Sequence, residues 1–146
     1  TPSANTSQVR KNRIMRATGK FDVKITPQAS DLAPEGPNLG RMSIEKQYHG
    51  DLDAAAKGEM ITAAGIAVKE SAAYSAVERV SGALHGKKGN FALQHTGIMD
   101  RGTPTLTITV VPDSGTGELA GLTGRMDIII QGKEHSYVLD YDIQKQ

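Results

Sequence analysis

No cysteine occurs among the 146 residues of the chain, so neither a disulfide framework nor a thiolate-bound zinc can contribute to its stability or chemistry. Such usage suits a reducing, cytoplasmic setting. Tryptophan is also absent, and with four tyrosines and two phenylalanines a core must be filled chiefly by aliphatic side chains. The aliphatic run Ile128-Ile129-Ile130 falls far short of the length a helix needs to span a membrane. Nor is there an excess of charge: 17 basic and 16 acidic residues leave a formal net charge of +1, which steers the chain toward neither nucleic acid nor an anionic membrane surface. Catalytic signatures are missing as well. His49, His85, His95 and His135 show neither His-x-His nor His-Glu-x-x-His spacing, there is no Gly-x-Ser-x-Gly elbow, and no glycine-rich stretch ends in Gly-Lys-Ser or Gly-Lys-Thr. No metal and no cofactor is therefore expected.

What the sequence does contain is two-residue alternation punctuated by glycine. In Phe21-Asp22-Val23-Lys24-Ile25 the apolar and charged side chains fall on opposite faces, as in a strand with one buried side. A proline-bearing loop from Gln28 to Asn38 follows, after which Met42 and Ile44 point inward against Ser43 and Glu45; Gly50 is expected to kink this run before Leu52. The stretch from Ala54 to Val80 is rich in alanine, which propensity alone would allow as helix. Gly58 and Gly65 oppose that, and Ala72 to Leu84 alternates, so the stretch reads as strand. Thr105 to Val110 alternates threonine with Leu106, Ile108 and Val110, and a last hairpin joins Met126–Ile130 to His135–Ile143. Ahead of the pattern, Arg10, Lys11, Arg13 and Arg16 stand among small polar residues, and residues 1–17 read as a flexible basic tail in which Met15 would suit a natural start. The remainder, 18–146, is expected to be a single all-β domain of about eight strands, a number that closes into one antiparallel β-barrel.

Between the last long strands lies Asp113 to Gly124, with glycines at 115, 117, 121 and 124. A phosphate loop would need a lysine after its last glycine and a following helix. Arg125-Met126 leads back into a strand instead, so these glycines are predicted to shape tight turns where the wall closes.

The segment Gly115-Thr116-Gly117-Glu118-Leu119-Ala120-Gly121, followed by Gly124, resembles the glycine-rich turn of allene-oxide-cyclase-like barrels, the superfamily that includes dirigent proteins. Gly19 to Val23, Lys46, Gly50-Asp51-Leu52, the run Tyr74, Glu78, Arg79, Val80, Gly82, Leu84, Leu93-Gln94-His95, Val111 to Gly117 and His135-Ser136-Tyr137 look like an uncharacterised bacterial family of that superfamily. The resemblance spans nearly everything after Thr18. It implies a barrel and, because superfamily members often assemble through their walls, a homo-oligomer; it implies no chemistry, since a shared barrel does not transfer an activity.

The residues themselves suggest where chemistry would sit. A hairpin turning at Lys87-Lys88 would place Leu84 opposite Phe91, Val80 opposite His95 and Glu78 opposite Gly97. Glu78, His95 and Tyr74 then share an inward face with Val80, Leu84, Phe91 and Leu93. A carboxylate, an imidazole and a phenol in an apolar cavity could carry general acid and base catalysis, burial being expected to raise the carboxylate's pKa. Lys46, Phe91, Leu93 and Tyr137 are the candidate ligand contacts, with Lys46 able to meet a carboxylate or an anion. Three readings follow: a cofactor-free isomerase or cyclase, a binding protein for an apolar or amphipathic small molecule, and an oligomeric scaffold with a filled core. In the last, Glu78 would simply be satisfied by His95, Arg79 or backbone.

Overall fold

The structure, a computed structural model, describes residues 13–30, 32 and 35–144. Eight antiparallel strands follow one another around a closed barrel: β1 (Met15–Gln28), β2 (Asn38–Tyr48), β3 (Leu52–Ala64), β4 (Ala72–Leu84), β5 (Lys87–Asp100), β6 (Thr103–Val110), β7 (Leu122–Gln131) and β8 (Glu134–Ile143). Apart from them the chain has one 3-10 turn, Gly117–Leu119. The alanine-rich stretch is strand on both sides of a short loop, as its glycines and alternation require. Among the described residues no helix is long and apolar enough to cross a membrane.

Strand pairing fixes the shape of the wall. The ladder leaving β1 at Pro27 passes Met42, Met60, Ala76, His95, Ile108, Met126 and Leu139 and re-enters β1 at Ala17, ten residues back along the same strand. A stagger of this kind tilts the strands by roughly 35–45° to the barrel axis. Even-numbered residues of β2, β3, β4, β6 and β7 and odd-numbered residues of β1, β5 and β8 point inward. Leu52, Leu84, Leu93, Tyr48 and Leu139 among them are fully buried, while Thr105 and Thr107 of β6 face outward.

The structure departs from the sequence reading in three places. β1 begins at Met15, ahead of the patterned segment: Ala17 is buried, and Arg16, assigned to the tail, donates from Nε to Asp140 Oδ1 of β8 at 2.8 Å. The rest of the proposed tail, up to residue 12, lies outside the described residues. Gly50 does not kink a continuous strand; it sits at φ +98° in the turn that separates β2 from β3. The β4–β5 hairpin turns at His85-Gly86 rather than Lys87-Lys88. His85 and Gly86 have φ of +45° and +80°, the paired left-handed residues of a two-residue hairpin loop, and Val80 consequently faces Phe91, Glu78 faces Leu93 and Ala76 faces His95. The slip is an even number of residues, so every side chain stays on its predicted face.

The two ends of the barrel differ. At one end the segment between β6 and β7 folds across the opening, and Leu119 is buried against the core as a plug. This segment runs beside β5 where β6 has already ended. Ser114 Oγ, Thr116 Oγ1 and Glu118 Oε1 accept from the backbone N–H groups of Ala92, Asn90 and Lys88 at 3.0, 3.0 and 3.1 Å. Three side chains spaced by two thus replace the missing strand, since a strand edge needs partners for alternate amides. Gly117 and Gly121, with φ of +61° and +85°, give the segment the reversals that a side chain would strain. The opposite end carries the β1–β2 and β3–β4 loops and the tight β5–β6 and β7–β8 turns, and among the described residues it stays open, its inward Ile25, Met99, Leu106 and Ile130 remaining exposed.

Candidate functional site

Four polar side chains from four positions on neighbouring strands meet midway down the barrel. Lys46 and Tyr48 come from β2, two residues apart and both inward; Glu78 comes from β4 and His95 from β5, diagonal neighbours across the β4–β5 pair. Gly58 stands opposite Glu78 on β3, so no side chain there separates the carboxylate from β2. Glu78 Oε1 accepts from Lys46 Nζ at 3.0 Å and lies 2.6 Å from His95 Nε2. The Tyr48 hydroxyl is 3.1 Å from both carboxylate oxygens, and Lys46 Nζ lies 3.4 Å from that hydroxyl. Lys46 also stands over the rings of Phe21 and Tyr48, 5.1 and 5.7 Å from their centroids, which offsets part of the cost of burying its charge. Glu78, His95 and Lys46 are 2%, 3% and 9% exposed.

This cluster changes the acid–base expectation. Burial is the largest single influence on the Glu78 carboxyl and pushes its pKa up. The hydrogen bond from His95 and the charge of Lys46, with their companion interactions, together outweigh it, so the group lies below its ordinary value. Glu78 is therefore a held carboxylate rather than a raised acid. Burial, and then the Glu78 charge, push the Tyr48 hydroxyl well above its usual range, which keeps it a neutral donor.

His95 Nδ1 makes no hydrogen bond to any described residue. Toward the closed end of the barrel Leu93, Phe91 and Tyr48 fill the core. Toward the open mouth the wall beside His95 carries Tyr74 and Gly97, paired across β4–β5. There Tyr74 leans its ring over Gly97, whose missing side chain makes the room, with its centroid 6.4 Å from the His95 ring. The Tyr74 hydroxyl likewise has no hydrogen-bond partner among the described residues; burial, then the charge of Glu78, raise its pKa.

Around these two polar groups the mouth is apolar and exposed. Met42 and Met60 face each other across β2–β3, and Ile25, Met99, Leu106 and Ile130 stay 47%, 40%, 40% and 63% exposed although they point to the barrel's inner side. The wall is also incompletely paired here. The β6–β7 ladder consists of Ile108–Met126 and Thr109–Arg125, so no ladder pair joins the mouthward halves of β6 and β7, and an unpaired seam runs there between Leu106 and Ile128.

Of the residues singled out from sequence, Glu78, His95, Lys46 and Tyr74 are brought together. Phe91 and Leu93 are buried in the core below them. Tyr137 lies away from the mouth: its hydroxyl donates to the His49 carbonyl at 2.7 Å and accepts from the Leu52 amide at 2.9 Å, pinning the β2–β3 turn to β8. Tyr48 was missed, although its position two residues after an inward Lys46 carried the signal. Met42 reads in the sequence as a core position and Met60 carries no distinguishing signal; both are only half-buried, near the open end. Among the described residues no three His, Cys, Asp or Glu side chains gather as metal ligands would.

A closed eight-stranded barrel with one plugged end, one open apolar mouth and a buried charged cluster is the class that fold and site define. The family described as "Protein of unknown function (DUF3224)" matches residues 17–141, and the chain belongs to it. A solved structure of a DUF3224 protein of unknown function from Shewanella oneidensis MR-1 is similar to this chain at 45% identity, with a TM-score of 0.86, over 92% of this chain and 100% of that one. No curated protein compared with the chain matches it.

Proposed function

We propose that the protein binds an apolar or amphipathic small molecule in the open mouth, its apolar part against Met42, Met60, Leu106 and Ile130 and its polar end on His95 and Tyr74. The observation that carries this reading is a buried His95 whose Nδ1 has no hydrogen-bond partner among the described residues, below the inward but exposed Ile25, Met99, Leu106 and Ile130, the combination of apolar lining and few convergent polar groups that marks ligand sites. Placement among allene-oxide-cyclase-like barrels accords with this reading and is part of the proposal. Titration with N-phenyl-1-naphthylamine, followed by fluorescence, tests it. Saturable binding in the micromolar range is expected, weakened at least about tenfold in Met60→Lys, which places a charge in the mouth. No saturable binding, or equal binding by a folded Met60→Lys variant, would overturn it.

A second reading, cofactor-free isomerisation or cyclisation, is favoured by the His95–Glu78 pair. A carboxylate that fixes one ring nitrogen and leaves the other free is how an imidazole is positioned as a general base. In such a reaction Nδ1 would take a proton from one carbon of the bound molecule and return it at another, Tyr74 donating to the intervening oxygen. Glu78 would be a positioning residue. Solvent deuterium entering an enolisable ketone bound in the mouth, and failing to do so in His95→Gln, is the expected sign; equal exchange in that variant removes the reading.

A further inference from the structure

The boundary between the dry and the exposed parts of the barrel falls between two neighbouring rungs of the wall. On the lower rung Ala76, His95 and Ile108, paired across β4, β5 and β6, are 4%, 3% and 1% exposed. On the next rung toward the mouth Tyr74, Gly97 and Leu106 are paired in the same way, and Leu106 is already 40% exposed. Gly97 is nevertheless buried, because the Tyr74 ring lies across it: a Cβ at that position would stand 2.2 Å from Tyr74 Cε1 and 2.7 Å from Cδ1. No neighbour on the wall is large enough to replace that ring. The inward residues on either side of Tyr74 along β4 are Ala72 and Ala76, and its partners on β3 and β5 are Thr62 and Gly97.

The ring is also held differently from the other three tyrosines of the chain. Tyr48, Tyr137 and Tyr141 are buried, and their hydroxyls bond to Glu78, to the His49 carbonyl and to His85 Nδ1, as a buried phenol normally does. Tyr74 is half-buried, and its hydroxyl has no hydrogen-bond partner among the described residues. Turning the ring off Gly97 therefore breaks no hydrogen bond to them, and a change of rotamer needs no strand to separate. We infer that Tyr74 is a gate between the mouth and the buried cluster of Lys46, Glu78 and His95: seated on Gly97 it closes the cluster to solvent, and turned into the mouth it admits a small molecule to the rung of Ala76 and His95. Gly97 is the seat of the gate and acts only through Tyr74. The gate goes beyond the mouth-binding reading, since it sets how deep any molecule can travel.

A chain without cysteine allows a direct test. Ala76→Cys places a single thiol on the closed side of the ring, and Thr107→Cys places one on the exposed outer face as a control. Each is labelled with methyl methanethiosulfonate, a small neutral reagent. With Tyr74 in place, the thiol of Ala76→Cys is expected to react slowly, at a rate that urea below the unfolding transition does not raise, as a local motion requires. Adding Tyr74→Ala, or separately Gly97→Ala, which unseats the ring, should speed that labelling at least about tenfold and leave the Thr107→Cys control unchanged. A rate that climbs steadily with urea would make the ring a fixed cover opened only by unfolding, and an unchanged rate in Tyr74→Ala would mean that the ring covers nothing. Either result overturns the gate. Should Ala76→Cys fail to fold, Ile108→Cys offers a thiol on the same rung. No ligand enters these measurements, so a mouth that binds no dye removes the binding reading and leaves the gate standing.

Discussion

Glu78 is the residue on which the buried polarity of this barrel depends, because it is the one anion among Lys46, Tyr48 and His95. Glu78→Gln keeps the shape but leaves Lys46 charged and unbalanced, so unfolding by urea should show a loss of about 3–5 kcal/mol. Glu78→Gln combined with Lys46→Met should lose less than the sum of the single changes, since the shared interaction is removed once; additive losses would mean that the pair is not coupled. The pH dependence has a definite sign. Because the carboxyl's pKa is lowered in the folded protein from its ordinary value of 4.5, the stabilisation it brings is fully present above about pH 4.5. It is lost as pH falls through the lower folded value. Denaturation midpoints of the wild type should therefore drop more steeply with acid below pH 4.5 than those of Glu78→Gln. At this scale the sequence was informative about identity and mute about saturation: alternation put Glu78, His95 and Lys46 on one face, but how many donors would reach one carboxylate depended on the closure of the whole wall.

The elements show the same division between face and partner. Periodicity assigned strands through an alanine-rich stretch against helix propensity, and it did so because a side-chain period of two survives any even slip of register. The turn itself was harder to read, since histidine before Gly86 is an uncommon residue at φ +45° and two lysines after it offered a more ordinary polar loop. Arg101-Gly102 repeats that geometry in the β5–β6 hairpin, with φ of +50° and +88°. Arg101→Asn should stabilise the protein by a few tenths to about 1 kcal/mol, because asparagine tolerates the left-handed region better; a lowered melting temperature would contradict this. The glycine-rich segment was correctly legible as backbone geometry, yet its second role was hidden. Ser114, Thr116 and Glu118 look like turn residues until β6 is seen to stop short, leaving the β5 amides for their side chains. Ser114→Ala should cost about 1 kcal/mol by unpairing the Ala92 amide. Gly121→Ala should cost about 1 kcal/mol or more through its positive φ, and neither loss should be reversed by added nucleotide.

At the scale of the molecule, the count of strands and their antiparallel order were readable, because short alternating runs separated by turn residues have few ways to bury one face. The asymmetry of the barrel was not. Which end is plugged and where the wall is unpaired depend on a stagger of ten residues between Pro27 and Ala17, a global quantity that no local pattern states. Its consequence is an unequal wall. The β3–β4 ladder runs from Leu52–Leu84 to Ala64–Ala72, whereas β6 and β7 share only Ile108–Met126 and Thr109–Arg125. Local opening needs the fewest broken bonds at that seam, and the loss of side-chain packing there is small because Leu106, Ile129 and Ile130 are already exposed. Amide hydrogen exchange should therefore be fastest, among strand residues, at the seam-facing amides of the mouthward halves of β6 and β7, at Leu106, Ile128 and Ile130, and slowest in the β3–β4–β5 wall. A ligand lying against the seam between Leu106 and Ile128 should slow exchange on the β6 and β7 residues and leave the plugged end unchanged. Uniform protection around the barrel would show that the seam does not open independently and is no point of entry.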